Sequence, residues 1–200
     1  MKNIFLIFIC LAALFMSAEE SDTSVVYFTS DISSEGLLKV YRMLGVTDTE
    51  KVALKVHFEE DGNQNYIKHV LYEGIVKATK GTFVETNVLY VSRRNFTNTH
   101  IALAKEHGFG YAPIDILDSE GEMEIENENP KYFKKVKIGK EMDNYRMFVI
   151  LSHFKGHGLA GFGGAIKNIS MGFASPSGKK EIEFAYDRKT GSINYKIINI

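Results

Sequence analysis

Residues 152–173, SHFKGHGLAGFGGAIKNISMGF, gather the side chains of this chain best suited to chemistry. His153, Lys155, His157, Lys167 and Asn168 are spaced by Gly156, Gly158, Gly161, Gly163 and Gly164. Glycines ahead of a helix start let backbone N–H groups approach an anion, and the helix dipole favours negative charge there. Ile166, Ile169 and Phe173 recur at helical spacing, so a helix is expected to begin near Gly164 or Ala165. Lys167, in its first turn, adds a point charge suited to a phosphate or carboxylate. The stretch is neither the Walker pattern, which ends Gly-Lys-Ser/Thr, nor a complete dinucleotide-binding GxGxxG. The same glycines would serve equally where two backbones cross closely.

Two other strand-like stretches end in polar residues. KVALKVHF (51–58) carries Lys55 and His57 and runs into Glu59, Glu60 and Asp61. TFVETNVLYV (82–91) carries Glu85, Thr86 and Asn87, with Arg93 and Arg94 beyond. Ligands of parallel α/β sheets gather at the carboxyl ends of the strands, where the following loops converge. Lys55, Asn87, Lys155, Lys167 and Asn168 around Gly161, Gly163 and Gly164 therefore make the candidate ligand site. His57, His153 and His157 would supply three imidazole ligands with an open position, a set able to activate water on a divalent metal. The competing reading has His153 packed at a strand end and His157 hydrogen-bonding within its loop. His69, His100 and His107 fall on helical stretches and are expected at the surface or the core rim. No Ser/His/Asp or Cys/His arrangement is present. The acids lie in charge runs, which gives paired-carboxylate catalysis no support.

These residues need elements to place them. VVYF (25–28) reads as a first strand. Leu37, Val40, Tyr41 and Leu44 form a helix face after the cap candidates Asp31 and Ser33, and Gly45 closes it. Ile67, Val70, Leu71 and Ile75 make a second helix face, ending near Gly81. TNTHIALAKEHG (97–108) reads as a helix with a Thr/Asn cap and Gly108 as its stop, and APIDILD (112–118) as a strand. EMEIENENPKYFKKVKIG (122–139) alternates around Asn129-Pro130 as a β-hairpin with acidic and basic arms that pair across it. RMFVILSHF (146–154) is apolar on both faces, as a central parallel strand would be. KKEIEFAYDRKTGSINYKIINI (179–200) reads as a terminal hairpin turning at 187–191. The order implies an α/β fold, an open, mostly parallel sheet with helices on both faces and an inserted β-hairpin.

Met1-Lys2-Asn3, the apolar run from Ile4 to Met16 and the small Ser17-Ala18 have the layout of a signal peptide over residues 1–18. That implies a secreted or periplasmic protein, with an uncleaved N-terminal anchor as the alternative. The remainder, 19–200, reads as one domain. The only cysteine, Cys10, falls in the leader, so the mature chain has neither disulfides nor cluster thiolates. With 24 basic and 25 acidic residues the chain lacks the basic field of a general nucleic-acid binder.

The glycine-rich motif, together with KVHFEEDGNQNYI, FVETNVLY and LAKEHGFGYAPIDILDSEGE, resembles the family of domain of unknown function 362, DUF362, described as uncharacterised iron–sulphur-centre proteins. The likeness covers about residues 25–180, with a divergent tail over 181–200. It implies the α/β domain alone. The ferredoxin-like 4Fe–4S module that follows this domain in many relatives is not recognisable here. Phe173 stands where the family pattern usually carries Cys, so no 4Fe–4S cluster is expected.

Two functions follow as expectations. One is a domain that binds a small anionic ligand or a divalent metal at the strand ends, with enzymatic activity left open. The other is a non-enzymatic remnant or interaction module, for which a separate ferredoxin is a conceivable partner that no residue specifically supports.

Overall fold

The computed structural model of the chain describes residues 23–47, 50–128, 130, 133–158, 160–183, 185–187 and 192–194. The leader over 1–18, the hairpin tip at Asn129 and most of the expected tail turn lie outside the described residues. Among those described, no helix is long and apolar enough to cross a membrane.

The chain is an α/β protein built on a four-stranded parallel sheet. Its strands are β1 (Val52–Lys55), β2 (Thr82–Glu85), β3 (Ile114–Ile116) and β6 (Met147–Ile150), in the order β3-β2-β1-β6. Successive side chains of a strand point to opposite faces. On one face Leu54, Val56, Phe83 and Ile116 meet Tyr41, Tyr72, Ile75, Ala104 and Phe109. On the other, Ala53, Val84 and Leu117 meet Phe173, with Phe148 and Ile150 packed alongside.

The first face is covered by α1 (Ser34–Met43), α2 (Glu73–Thr79) and α3 (Thr97–Glu106). Ser33 caps α1 by accepting from the Gly36 N–H at 3.1 Å, and Gly45 leaves it with φ 66. A 3₁₀ turn at His69–Tyr72 leads into α2. Phe96 occupies the N-cap of α3 with no side-chain bond, so the expected Thr/Asn cap is corrected. Thr99 instead donates to the Arg93 carbonyl at 2.6 Å and holds the turn from outside. The second face receives α4 (Ala165–Phe173), whose Phe173 meets Phe148 edge-on with ring centroids 5.0 Å apart.

The expected hairpin is β4 (Glu122–Glu126) and β5 (Lys135–Gly139), antiparallel, with Glu124 opposite Lys137 and Glu126 opposite Lys135. Lys135 contacts Glu124 and Glu126 at 3.2 and 3.0 Å. Lys137 pairs instead with Glu181 at 2.8 Å, on α5 (Pro176–Glu183), the helix packed against β5. A second small hairpin joins β7 (Lys155–His157) to β8 (Gly161–Gly163), and the tail forms β9 (Ala185–Asp187) and β10 (Ser192–Asn194), also antiparallel.

Two further expectations are corrected. Residues 25–28 form no strand, and Val26 and Phe28 stand 87% and 90% exposed. β6 is not central: it pairs with β1 alone among the described residues, and all four of its residues are only half-buried. An apolar run predicts burial on both faces, but it cannot say how many neighbours flank a strand.

Candidate functional site

From β1 the chain steps through β2 to β3 in one direction, whereas β6 lies on the opposite side of β1. The exits of β1 and β6 therefore diverge, and the crevice outside such a switch point is where open α/β sheets hold ligands. The β1 exit carries His57 and Glu59, and the β6 exit carries Ser152 to His157.

Beneath that crevice lies a buried charge hub around Glu85, at the end of β2. Its carboxylate accepts from Arg94 Nη2 at 2.7 Å, from Lys55 Nζ at 3.3 Å and from the Phe58 N–H at 3.3 Å. Its solvent-free position pushes the carboxyl up, but the Arg94, Lys55 and His57 charges outweigh this and hold it well below the usual carboxylate range. Lys55 is fully buried, and burial pulls its pKa down while Glu85 opposes the fall. Its ammonium reaches three acceptors: the Val56 carbonyl at 2.6 Å, Asn168 Oδ1 at 2.8 Å and Glu85. Such full satisfaction is what lets a charge stay in the interior. α4 crosses so near that a Cβ at Gly172 would lie 2.2 Å from Lys55 Cε.

Two residues of this hub escape a reading of the sequence. Arg94 is 2% exposed and also donates to Glu60 at 2.6 Å. His100 was expected at a surface or rim but is wholly buried. Burial lowers its pKa, with Glu85 opposing, so the ring is neutral. Its Nε2 lies 3.2 Å from Arg94 Nε and 3.3 Å from Glu85 Oε2, and its Nδ1 faces Asn87 Oδ1 at 3.4 Å. Asn87 turns its amide nitrogen to Asp118 and Thr97, both at 3.1 Å. Lys179, from α5, is the second buried lysine. It donates to Thr86 Oγ1, the Asn87 carbonyl and the Ala174 carbonyl, and burial pulls its pKa down to about 8.

His57 is the member of this cluster that reaches water, with its side chain 44% exposed. Nδ1 lies 3.3 Å from Glu85 Oε1 and Nε2 lies 3.5 Å from Glu59 Oε2. Desolvation disfavours the imidazolium, but the two carboxylates outweigh it and raise the pKa. The His57 hydrogen bond in turn draws Glu59 down to about 2. Glu59 sits at φ 65, a left-handed conformation that costs a side-chain-bearing residue on the order of 1 kcal/mol and gathers at functional sites.

The glycine-rich stretch lies above this hub. In the β7–β8 hairpin Lys155 stands opposite Gly163 and His157 opposite Gly161, while Gly156 faces Phe162. Lys155 and His157, two residues apart, share one face, and across from them there is only glycine. A Cβ at Gly163 would fall 3.7 Å from Lys155 Cγ and 3.8 Å from His157 Cβ, so the missing side chain leaves an open cradle between the Lys155 chain and the His157 ring, whose Nδ1 accepts from the Ala160 N–H at 3.1 Å within its own loop. Phe162 occupies the other face with Phe154, ring centroids 4.8 Å apart. Gly164 is the N-cap of α4 and forms no side-chain cap, and Lys167 lies in the first turn that follows. Burial first, then the Lys167 and Lys155 charges, lower the His157 pKa. Burial also lowers that of Lys167, with Glu183 opposing and Lys155 adding to the fall.

The expected ligand residues therefore separate into two layers. Lys155, Lys167, Gly161, Gly163 and Gly164 meet around the cradle. Lys55, Asn87 and Asn168 lie below it with internal partners, and Asn168 Nδ2 donates to Ser152 Oγ at 2.9 Å. The expected metal triad is not assembled. Among the described residues no three His, Cys, Asp or Glu side chains are placed to hold a metal ion, so His57, His153 and His157 do not converge. The hub had one legible sign in the sequence: Lys55 and Glu85 are charges set inside the apolar runs VALKV and TFVET.

No curated protein and no solved structure matches the chain. The family described as Domain of unknown function (DUF362) matches residues 52–200, which spans the sheet, the charge hub and the glycine-rich hairpin. The chain belongs to the DUF362 family.

Proposed function

We propose that this domain binds a small oxyanion, a phosphate- or carboxylate-bearing molecule, in the β7–β8 cradle at the start of α4. The observation that carries this reading is the hairpin register, which sets Lys155 and His157 side by side and opposite glycine alone. Lys167 adds a second ammonium to that of Lys155, and the lowered pKa of both Lys167 and His157 reflects burial and neighbouring positive charge. Such a group is relieved by an anion, which accepts charge-assisted hydrogen bonds from each cation. The backbone N–H groups that open α4 add donors of the same polarity. The buried hub below serves to fix α4 and the β1 exit, so that the cradle is rigid before a ligand arrives.

Isothermal titration with pyrophosphate and with citrate tests the reading. Lys155→Ala combined with Lys167→Ala should weaken binding by roughly tenfold or more, since each charged hydrogen bond contributes about 1.5–3 kcal/mol. Its urea midpoint should stay near that of the wild type. Equal affinity in the two proteins would show that the anion sits elsewhere, and absence of heat for both anions would remove the proposal.

A further inference from the structure

We propose that the glycine-rich hairpin and the start of α4 seat the domain on an anionic lipid surface. Phe154, Phe162 and Ile166 enter the interfacial layer of the bilayer, while Lys155 and Lys167 engage the lipid phosphates. The inference rests on the oxyanion reading for the two lysines and deepens it by naming the source of the anion.

Between residues 154 and 169 four large apolar side chains face water. Phe154 is 84% and Ile166 70% exposed, and Phe162 and Ile169 are exposed as well. They are adjacent rather than scattered. The Phe154 and Phe162 rings meet edge-on with centroids 4.8 Å apart. A Cβ at Gly164 would lie 2.8 Å from Phe162 Cε1, so this aromatic pair rests against the N-cap of α4. Ile166 follows in the first turn of that helix, and Ile169, three residues on, lies on the same side. Single exposed hydrophobes are ordinary, whereas a contiguous group of them marks an interaction surface.

The charges beside the group select its partner. Lys155 is next to Phe154 in sequence and Lys167 next to Ile166. Side chains alternate along each strand of the hairpin, so Lys155 rises from the face opposite the aromatic pair of a ribbon only two strands wide. Laid on a bilayer with the rings downward, such a ribbon keeps its lysine stem at the level of the headgroups. The Lys167 ammonium is disfavoured first by burial and then by the Lys155 charge, with Glu183 opposing, and an anionic surface supplies further counter-charge. Interfaces between proteins favour aromatic residues but are depleted in lysine. Membrane surfaces take both, rings at headgroup depth and basic residues against anionic lipid.

The chain contains no tryptophan, so Phe162→Trp in the full chain places a single fluorescent reporter within the group. Vesicles of phosphatidylcholine alone, and of equal parts phosphatidylcholine and phosphatidylglycerol, are prepared with acyl chains brominated near the headgroup. On the anionic vesicles the reporter's emission should shift to the blue and be quenched. Adding Lys155→Ala and Lys167→Ala should raise the lipid concentration for half quenching by roughly tenfold or more, since each lysine near an anionic surface contributes about fivefold. An unquenched reporter, or quenching indifferent to the two lysines, would overturn the inference. So would a blue shift that grows with protein concentration without lipid, which would seat a second copy on the group. Phe154→Ser combined with Phe162→Ser keeps the two readings apart: it should weaken vesicle binding by about tenfold or more and leave pyrophosphate affinity unchanged. A wild type that binds pyrophosphate but no vesicles would overturn the lipid inference alone. Lysine-dependent quenching without pyrophosphate binding would instead remove the free anion and leave lipid as the source.

Discussion

The Lys55 ammonium donates to Asn168 Oδ1 at 2.8 Å across 113 positions of sequence. Through this bond the end of β1 holds α4, the helix that carries Lys167. Asn168 uses its other amide group on Ser152, so the exits of β1 and β6 both grip the start of the helix. The glycine-rich hairpin and the start of α4 thus lean on a charge hub whose Lys55, Glu85 and Arg94 are buried.

Asn168→Ala should accordingly act at two levels. It removes one acceptor from a buried ammonium, a loss of about 1.5–3 kcal/mol for a hydrogen bond to a charged group. It also frees the start of α4, so pyrophosphate should bind more weakly although Asn168 is not assigned to the ligand. Urea unfolding and calorimetric titration on the same variant read the two effects.

Glu85→Gln should be the most disruptive single exchange in the hub. Arg94 and Lys55, 2% and 0% exposed, would lose the carboxylate between them. Removing one partner of a buried ion pair costs about 3–5 kcal/mol. A comparison with Lys135→Ala provides the contrast: Lys135 and both of its partners are exposed, and the loss should stay within about 1 kcal/mol. Chemical denaturation of both variants would rank them.

The pH dependence follows from two groups of opposite type. Glu59 falls from 4.5 to about 2 on folding, so its contribution is present in full above pH 4.5 and is lost as pH falls toward 2. Lys179 falls from 10.5 to about 8, so between pH 8 and 10.5 the unfolded chain binds more protons and stability rises with pH. Lys179→Met should flatten that alkaline rise and leave the acid limb unchanged. Denaturation midpoints measured across the two windows check both signs.

Gly163→Val should separate binding from folding. Gly163 lacks a positive φ, and an added Cβ meets its neighbours at 3.5 Å or more, so the hairpin can accept a side chain. That side chain would fill the gap between Lys155 and His157. Pyrophosphate binding should be lost with a change in stability below about 1 kcal/mol. Gly108→Val should do the reverse: φ 94 and a Cβ 2.2 Å from the His69 ring predict a marked loss of stability with the anion site intact.

Much of this architecture was legible in the sequence, because strand and helix periods, Ser33, Gly45 and Gly108 each carry local physical instructions. The glycine-rich stretch was also legible as a helix start preceded by cations. What local pattern could not convey was neighbourhood. RMFVILSHF announces apolar burial but not an edge position, and VVYF announces a strand that the structure does not form. His100 reads as a rim residue because nothing in TNTHIALAKEHG shows that Arg94 and Glu85 will close over it. Lys179 sits in the charged run SGKKEIE, where its burial under Thr86 and Asn87 leaves no trace. The open face of the β7–β8 hairpin depends on which glycine lies opposite Lys155 and which opposite His157, and only the register supplies that.

The central claim is tested most directly by following backbone amide shifts while the protein is titrated with pyrophosphate at low ionic strength. The cradle predicts saturable shifts confined to Lys155–His157, Gly161–Gly164 and the first turn of α4, absent in the Lys155→Ala, Lys167→Ala variant. Shifts spread evenly over the surface, or saturable shifts centred on any other element, would contradict it.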